Sequence, residues 1–161
     1  DFLLIFITEH TEYVFEALEY MPFRFIRKER MEKELPAAIQ AACEKVAKDG
    51  NFPVLINTSD QTEMLRAGDI LYYALENRKC MIYTMRGEYE VWKTIRDMRK
   101  ELGSYDESFL QIYRGCMVNK KYIRTIKNET VILENGTELP FSRRKRKEIS
   151  DRMMRYWGKM V

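Results

Sequence analysis

The stretch FLQIYRGCMVNKKYI, residues 109–123, is the part of the sequence that decides the fold of the second half of the chain. Residues 109–113 and 116–118 are apolar enough for buried β-strands, but Arg114 and Gly115 stand between them. Arginine is seldom buried without a partner, so this pair belongs at a strand end or a turn. The stretch therefore predicts a basic side chain displayed beside a buried strand.

Residues 54–161 continue in the same way, and we predict that they form one mainly β domain. The predicted strands are VLINT, the segment Glu63–Arg66, DILYYAL, KCMIYT, GEYEV, FLQIY, CMV, TVILE and TELPF. One amphipathic helix is predicted from about Trp92 to Leu102, because Trp92, Ile95, Met98 and Leu102 fall on one side of it.

Two short signals predict details of the last third of the chain. Asn135-Gly136 separates two apolar runs and predicts a two-residue hairpin with a type I′ turn, whose central residues both need positive φ. Ser142 precedes a run of basic residues and is predicted to cap a basic final helix.

Residues 1–48 have a different pattern, with the order β-α-β-α that is typical of an α/β unit with parallel strands. The predicted elements are a strand at residues 3–8, a helix that spaces Val14, Leu18 and Met21, a strand at residues 23–26, and a helix at residues 31–46 with Leu35, Ile39 and Cys43 on one face. Polar, turn-prone residues followed by Pro53 make residues 49–53 the predicted linker.

The charge of the chain is unevenly distributed. Residues 1–110 contain 15 Lys and Arg against 20 Asp and Glu, whereas residues 111–161 contain 13 against 5. Positive potential is thus concentrated in the last third, and such a segment favours an anionic partner.

The sequence offers little material for catalysis. His10 is the only histidine, and no Cys-x-x-Cys pair, nucleophile elbow or phosphate-binding glycine loop occurs, so we expect no enzyme, no metal site and no cofactor. Cys43, Cys80 and Cys116 are each set among apolar residues and predict reduced core thiols, which point to the cytoplasm. No apolar run reaches the roughly 20 residues of a membrane helix, so we expect no membrane partner.

Basic and polar islands at residues 76–79, at Arg114-Gly115 and at residues 142–147 are candidates for binding an anion. Arginine donates in a planar fork that matches a phosphate or the edge of guanine, and lysine offers a point charge to phosphate. Asn119 and Lys120 are predicted as further contacts, with an ordinary turn as the alternative. A solvated helix face is the alternative for the run at residues 142–147.

The order of these segments resembles the LytTR family of bacterial DNA-binding domains, found at the C-terminus of response regulators of the LytR/AgrA type. The likeness covers residues 54–157. It rests on the pattern F-x-x-x-x-R/N-x-x-x-V-N-x-x-Y-I, which runs from Phe109 to Ile123, and on N-G-x-x-L-P-x-S-R-R, which ends at Arg144. The resemblance implies an elongated, mostly antiparallel β fold with one or two helices that meets double-stranded DNA through loops.

By this resemblance the DNA-contacting positions are Asn77, Arg78, Lys79, Arg114, Arg143, Arg144 and Lys145. The interrupted strand then has an explanation, in which the chain leaves the sheet in a bulge-like turn that presents Arg114 to DNA and Gly115 permits the backbone conformation. The implied function is sequence-specific binding of promoter DNA by a homodimer at repeated half-sites.

Residues 1–48 resemble the second half of a response-regulator receiver domain. The resemblance assigns Thr8 to the hydroxyl residue of that family, Phe25 to its switch aromatic and Lys28 to the lysine that pairs with a phosphoryl group. It implies a two-component system with a cognate histidine kinase as a partner. The strands that would supply the phosphoacceptor aspartate are missing from the sequence, so we expect a truncated receiver.

Two other functions stay open at this point. One is a β-rich protein-interaction module whose basic tail only makes it more soluble. The other is an RNA-binding domain that stacks bases on Tyr72, Tyr113 and Tyr122. Competition by duplex DNA, single-stranded RNA and heparin separates the three functions.

Overall fold

The computed structural model describes residues 2–158, and the chain divides into two compact units, residues 1–49 and residues 50–161. The first unit combines two short parallel strands with two helices. Its elements are β1 (Ile5–Thr8), α1 (Val14–Leu18), β2 (Arg24–Arg27) and α2 (Met31–Lys48). Thr8 pairs with Arg27 in the parallel register, so the carboxyl ends of β1 and β2 lie side by side.

Helix α1 is shorter than its sequence pattern predicts. It has five residues and buries Ala17, whereas Leu18 and Met21 are exposed. The φ of Met21 is 48°, which a right-handed helix does not allow, so the chain has left the helix before Pro22. The predicted apolar stripe through Leu18 and Met21 is therefore wrong.

Helix α2 exists as predicted but buries a different stripe. Ala38 is its buried residue, and Ile39 and Cys43 are exposed. Successive residues of a helix are rotated by about 100°, so Ile39 points well away from the direction of Ala38. The prediction of a core thiol at Cys43 is wrong, while Cys80 and Cys116 are buried as predicted.

The second unit is mainly antiparallel β structure, as predicted. Its strands are β3 (Pro53–Asn57), β4 (Thr62–Arg66), β5 (Ile70–Glu76), β6 (Lys79–Thr84), β7 (Glu88–Val91), β8 (Phe109–Tyr113), β9 (Cys116–Asn119), β10 (Ile123–Lys127), β11 (Thr130–Leu133) and β12 (Glu138–Pro140), and its helices are α3 (Ile95–Leu102) and α4 (Arg146–Trp157). They form a five-stranded sheet in the order β7-β6-β5-β9-β8, a pair β3-β4 and a three-stranded sheet β10-β11-β12. Strand β10 is not among the predicted strands, because charged residues dilute its apolar pattern.

The five-stranded sheet is covered on both faces. One face packs against β3, β4 and α3, with a core that includes Ile56, Tyr73, Ile82 and Met98. The other face packs against β10, β11 and α4, with a core that includes Leu71, Ile112, Val131 and Ile149. Strands buried on both faces need apolar residues in both directions, which explains the continuous run DILYYAL in β5.

Helix α3 begins later than predicted because Thr94 caps it. The Thr94 hydroxyl accepts a hydrogen bond from the Asp97 backbone N–H at 3.1 Å, and the Asp97 carboxylate accepts one from the Thr94 backbone N–H at 2.9 Å. This reciprocal pair is a capping box, which sets the first helical residue at Ile95. Trp92 therefore precedes the helix and is 74% exposed, so its predicted place on the buried side is wrong.

Most of residues 109–119 lies in two strands, β8 and β9, which pair antiparallel with each other. Arg114 and Gly115 form the turn between them, and the register of the pair shifts between Gln111 and Tyr113 just before it, so the predicted exit of the chain from the sheet in a bulge-like turn is confirmed. Gly115 does not have a positive φ, and a Cβ at this position would lie 3.4 Å from the Leu75 Cβ, an ordinary contact. The backbone therefore does not require glycine here.

The Asn135-Gly136 hairpin and the Ser142 cap also differ from prediction. Gly136 has a φ of 87° but Asn135 has no positive φ, so the turn is not type I′. The Gly136 N–H donates to the Leu133 carbonyl at 3.0 Å, and the Leu133 N–H donates to the Thr137 carbonyl at 2.9 Å. The loop therefore comprises residues 134–136, one more than predicted, with Gly136 in the left-handed region. The Ser142 side chain makes no capping bond; its carbonyl accepts from the Lys145 N–H in a 3₁₀ turn, Arg143–Lys145, before α4.

The predicted linker, residues 49–53, is largely part of the second unit. Gly50 is buried with a φ of 67°, and a Cβ there would come within 2.5 Å of the Tyr105 ring and 2.7 Å of the Gly68 backbone. Its carbonyl accepts a hydrogen bond from the Gly68 N–H at 2.9 Å. The second unit therefore begins at Gly50 rather than at residue 54, and only glycine fits this tight approach.

Asn119 is the buried polar residue at the centre of the second unit. Its side-chain N–H donates to the Ile70 carbonyl at 2.9 Å and to the Tyr105 hydroxyl at 3.4 Å, and its side-chain oxygen accepts from the Lys121 N–H at 3.1 Å. The side chain has no exposed surface. The prediction that Asn119 contacts nucleic acid is therefore wrong, because its amide joins β5, β9 and the following turn.

Replacing Asn119 by alanine should destabilise the second unit by about 2 kcal/mol, because the Ile70 carbonyl and the Lys121 N–H lose their partner. Urea unfolding followed by tryptophan fluorescence measures this, since Trp92 and Trp157 both lie in the second unit. Glu107→Ala, at an exposed position, is the matched control and should change the free energy of unfolding by less than about 0.5 kcal/mol. Equal losses in the two variants would contradict the structural role of Asn119.

Candidate nucleic-acid interface

Hydrogen bonds join the three predicted basic islands at one end of the five-stranded sheet. The Leu75 N–H donates to the Gly115 carbonyl at 2.7 Å, which ties the β5–β6 turn to the β8–β9 turn. The Gln111 side chain donates to the Arg114 carbonyl at 3.3 Å, and Lys145 Nζ donates to the Gln111 carbonyl at 3.5 Å. Residues 76–79, 113–115 and 142–145 therefore form one continuous surface, here called the hairpin end.

The β5–β6 turn projects Asn77 and Arg78 from the hairpin end. Glu76 pairs with Lys79 across the two strands, and the residues between them have φ values of 47° at Asn77 and 68° at Arg78. Two successive positive φ values define a type I′ hairpin, the turn type that the sequence predicts at Asn135-Gly136. Both side chains are exposed.

Lys79 differs from its neighbours because the protein already binds its ammonium group. Lys79 Nζ forms an ion pair with Glu90 and lies 4.8 Å from the centre of the Trp92 ring. Its charge is partly neutralised before any ligand arrives, so Arg78 is the stronger anion-binding group of this turn.

Arg114 and Arg144 are both exposed. Arg114 lies in the turn between β8 and β9, and Arg144 lies in the 3₁₀ turn that precedes α4. Arg143 is 88% exposed and lies 3.9 Å from a Glu129 carboxylate oxygen, and Lys145 is half-buried against β8. The hairpin end thus presents four exposed arginines, Arg78, Arg114, Arg143 and Arg144, and the bond from Lys145 to Gln111 holds the last segment against β8.

Lys120 lies in the turn after β9 and is half-buried. Its Nζ lies 5.4 Å from the centre of the Tyr156 ring of α4. Of the two further contacts predicted from the sequence, Lys120 is therefore partly exposed, whereas Asn119 is buried.

Three tyrosines lie on the strands that lead to the turns of the hairpin end, namely Tyr72 on β5, Tyr83 on β6 and Tyr113 at the end of β8. Tyr72 and Tyr83 stack with their ring centres 4.2 Å apart, and the Tyr83 hydroxyl donates to the Glu76 carboxylate at 2.9 Å. Burial, together with the charges of Cys116 and Glu76, raises the pKa of Tyr72 to about 12. Burial likewise raises the pKa of Tyr113 to about 12, so these phenols stay neutral at physiological pH.

The structure weakens the alternative of base stacking on tyrosines. Tyr72 is buried under Tyr83, and Tyr122 is half-buried with its hydroxyl donating to the Gly68 carbonyl at 2.7 Å. Only Tyr113 of the three predicted stacking residues is exposed. A stacking platform of several rings is therefore not formed by these residues.

The residues that the resemblance assigns to a receiver, Thr8, Phe25 and Lys28, lie on or directly after the paired strands β1 and β2. Thr8 ends β1, Lys28 follows β2, and the two strands are parallel neighbours. Thr8 and Phe25 line one pocket of about 260 Å³. Lys28 Nζ forms a 2.8 Å ion pair with Glu9, and this hydrogen bond raises the pKa of Lys28.

Among residues 2–158, no group of three or more His, Cys, Asp or Glu side chains is arranged to hold a metal ion. Within the same range, none of the helices combines the length and the apolar character needed to span a bilayer.

Comparison with curated proteins finds regulators that match most of the chain. The transcriptional regulatory protein LytR of Staphylococcus aureus (strain N315) is 27% identical over 161 residues, covering 87% of the chain and 64% of that protein. The sensory transduction protein LytT of Enterococcus faecalis (strain ATCC 700802 / V583) is 25% identical over 165 residues, covering 93% of the chain and 67% of that protein. The chain thus spans less than two thirds of the length of LytR.

A solved LytTr DNA-binding domain from Bacillus cereus has the same fold, with a TM-score of 0.53 and 17% sequence identity, covering 63% of this chain and 95% of that domain. Residues 60–154 match the LytTr DNA-binding domain family, a range that contains Arg78, Arg114 and Arg144. Since this match covers more than half of the chain and all three segments of the hairpin end, the chain belongs to the LytTr DNA-binding domain family.

Proposed function

We propose that the second unit binds double-stranded DNA sequence-specifically through the hairpin end, as the DNA-binding part of a two-component transcriptional regulator. The observation that carries this proposal is the hydrogen-bonded joining of three arginine-bearing turns at one end of a sheet whose faces are both covered. A surface made of turn tips fits a DNA groove without a recognition helix, and its charge fits the phosphates.

The proposed division of labour follows from side-chain chemistry. Arg78, Arg114 and Arg144 project from turns, and a guanidinium fork can donate two hydrogen bonds to guanine O6 and N7 in the major groove. Asn77 is proposed to contact a base or phosphate from the same turn as Arg78. Lysines serve as point charges for phosphates, which fix register without conveying sequence.

The conformation of Arg78 supports a functional role for this residue. A positive φ is tolerated by asparagine, but at an arginine it costs about 1 kcal/mol relative to glycine. Glycine at position 78 would make the type I′ turn more favourable. Arginine in a strained turn position is therefore better explained by what its side chain binds than by the stability of the fold.

The finer proposal for the first unit is that residues 1–48 are the C-terminal part of a receiver domain. Its support is the meeting of Thr8 and Lys28 at the carboxyl ends of parallel strands, with Phe25 at the same pocket. Open α/β sheets bind ligands at that edge. A histidine kinase would then be the upstream partner, and the protein would act in the bacterial cytoplasm, where its promoter DNA lies.

We also propose a homodimer that occupies repeated half-sites. Exposed apolar side chains support association through the first unit, namely Ile7, Phe15, Leu18, Tyr20 and Met21. Apolar groups collected on one small unit are stabilised when a partner covers them. Linking two DNA-binding units raises affinity by effective concentration, without any new contact to DNA.

The chain should bind duplex DNA with an affinity that falls steeply with salt, because several cations release counterions from the phosphates. Fluorescence anisotropy at two salt concentrations, with unlabelled duplex DNA, single-stranded RNA and heparin as competitors, measures this. Duplex DNA of a selected sequence should compete best. A salt-independent response would favour the protein-interaction module, and stronger competition by RNA would favour an RNA-binding domain.

Replacing Arg114 or Arg144 by alanine should cost about 1–3 kcal/mol on a selected duplex and relax the preference at one base pair. Lys147→Ala, at an exposed position of α4, should weaken selected and scrambled duplexes alike and lower the salt slope by about one. Anisotropy titrations with both duplexes compare the variants. If Arg114→Ala loses the same factor on both duplexes, Arg114 contacts phosphate and not a base.

In the full-length protein, a phosphoryl mimic such as beryllofluoride should raise the dimer fraction. A phosphoryl group at the receiver edge would draw Lys28 from its pair with Glu9, and on this proposal the rearranged edge favours dimerisation. Light scattering with and without the mimic measures this. Lys28→Ala should remove the response, and Lys33→Ala, an exposed lysine of α2, should retain it. A monomer under all conditions would contradict the dimer, and equal responses of the two variants would contradict the role of Lys28.

A further inference from the structure

A carboxylate stands within the basic hairpin end. Glu76 is the last residue of β5, directly before Asn77 and Arg78, and its side chain is exposed. Within residues 2–158 it forms no ion pair with a lysine, arginine or histidine. This is an unusual group to place on a surface that meets phosphates, because like charges repel there.

The structure holds this carboxylate in one orientation. The Tyr83 hydroxyl donates a 2.9 Å hydrogen bond to Glu76 Oε1, and the Tyr83 ring is stacked on buried Tyr72. Of the two carboxylate oxygens, Oε1 is thus occupied and Oε2 can accept a further donor. A glutamate whose only role was to make the surface more soluble would not need a hydrogen bond that orients its carboxylate.

Glu76 also lies near the turn that carries Arg114. Burial is the main cause of the raised pKa of Tyr113, and the charges of Cys116 and Glu76 add to it. Glu76 likewise contributes to the raised pKa of Cys116, after burial. Strand β5 lies between β6 and β9 in the sheet, and the N–H of Leu75, the residue before Glu76, donates to the Gly115 carbonyl at 2.7 Å, so Glu76 lies between the Arg78 and Arg114 turns.

The chemistry of the major groove limits what a fixed carboxylate can accept there. Phosphate, guanine O6 and N7, and thymine O4 offer only acceptors, and they repel it. Adenine offers an amino donor beside the acceptor N7. Cytosine offers its N4 amino group with no acceptor beside it, so it is the base edge that matches a carboxylate best.

We propose that Glu76 is a specificity-determining residue that accepts a hydrogen bond from the N4 amino group of a cytosine in the DNA site. Tyr83 is its positioning residue. The inference rests on the proposed function. It adds to that function a negatively charged side chain, between the Arg78 and Arg114 turns, that contacts a base edge. Glu76 weakens binding to unrelated DNA by repelling phosphates, and recovers that loss only where the cytosine amino group is present.

The experiment is selection from a pool of random duplexes by the wild-type chain and by Glu76→Gln, Tyr83→Phe and Glu107→Gln, followed by anisotropy on the selected and a scrambled duplex. Glu76→Gln should lose the cytosine preference at one position and shift it towards adenine, which glutamine can contact at N6 and N7. Its affinity for the selected duplex should fall about tenfold relative to that for the scrambled one.

Tyr83→Phe keeps the charge but frees the carboxylate, so it should weaken the cytosine preference without raising affinity for the scrambled duplex. Glu107→Gln, at an exposed position outside the hairpin end, should select the wild-type sequence. Circular dichroism melting confirms that each variant is folded. If Glu76→Gln selects the wild-type sequence and gains the same factor on both duplexes, Glu76 only repels phosphates and the inference is wrong. If the wild-type chain selects no sequence, the proposed function itself fails.

Discussion

Burial of the five-stranded sheet on both faces is the constraint on which the rest of the structure depends. Because β3, β4 and α3 cover one face and β10, β11 and α4 cover the other, the middle of the sheet is buried on both sides. The arginines of the hairpin end are accordingly displayed from turns at the ends of the strands. The buried amide of Asn119, which joins β5 and β9, holds this sheet in register from the inside.

The same constraint explains how distant parts of the chain form one surface. The turns at Arg78 and Arg114 meet because β5 and β9 are neighbours in the sheet, and the Leu75–Gly115 hydrogen bond closes the gap between them. Lys145 adds the third segment by bonding to β8. Recognition by such a surface depends on turn geometry, so a strained residue such as Arg78 is tolerated where a rigid sheet holds it.

A surface of this kind can combine attraction with discrimination. In the proposed interface, arginines provide affinity for the negatively charged backbone and can read guanine, whereas a fixed carboxylate at Glu76 penalises contacts that lack a donor. Tyr83 links this discrimination to the packed interior, because its ring is part of the stack on Tyr72. Changes in the core can therefore alter sequence preference without touching DNA.

Local patterns in the sequence are enough to predict the strands other than β10, the mainly β class and the basic islands, because apolar runs and arginine-bearing turns are local features. The sequence also separated an α/β segment from the β domain near Gly50. The burial of Asn119, the exposure of Cys43 and the hydrogen bond that joins the Arg78 and Arg114 turns follow only from the tertiary structure. Each of these depends on which strands pair and which helix face meets a sheet, and those contacts join residues far apart in the chain, which no local pattern records.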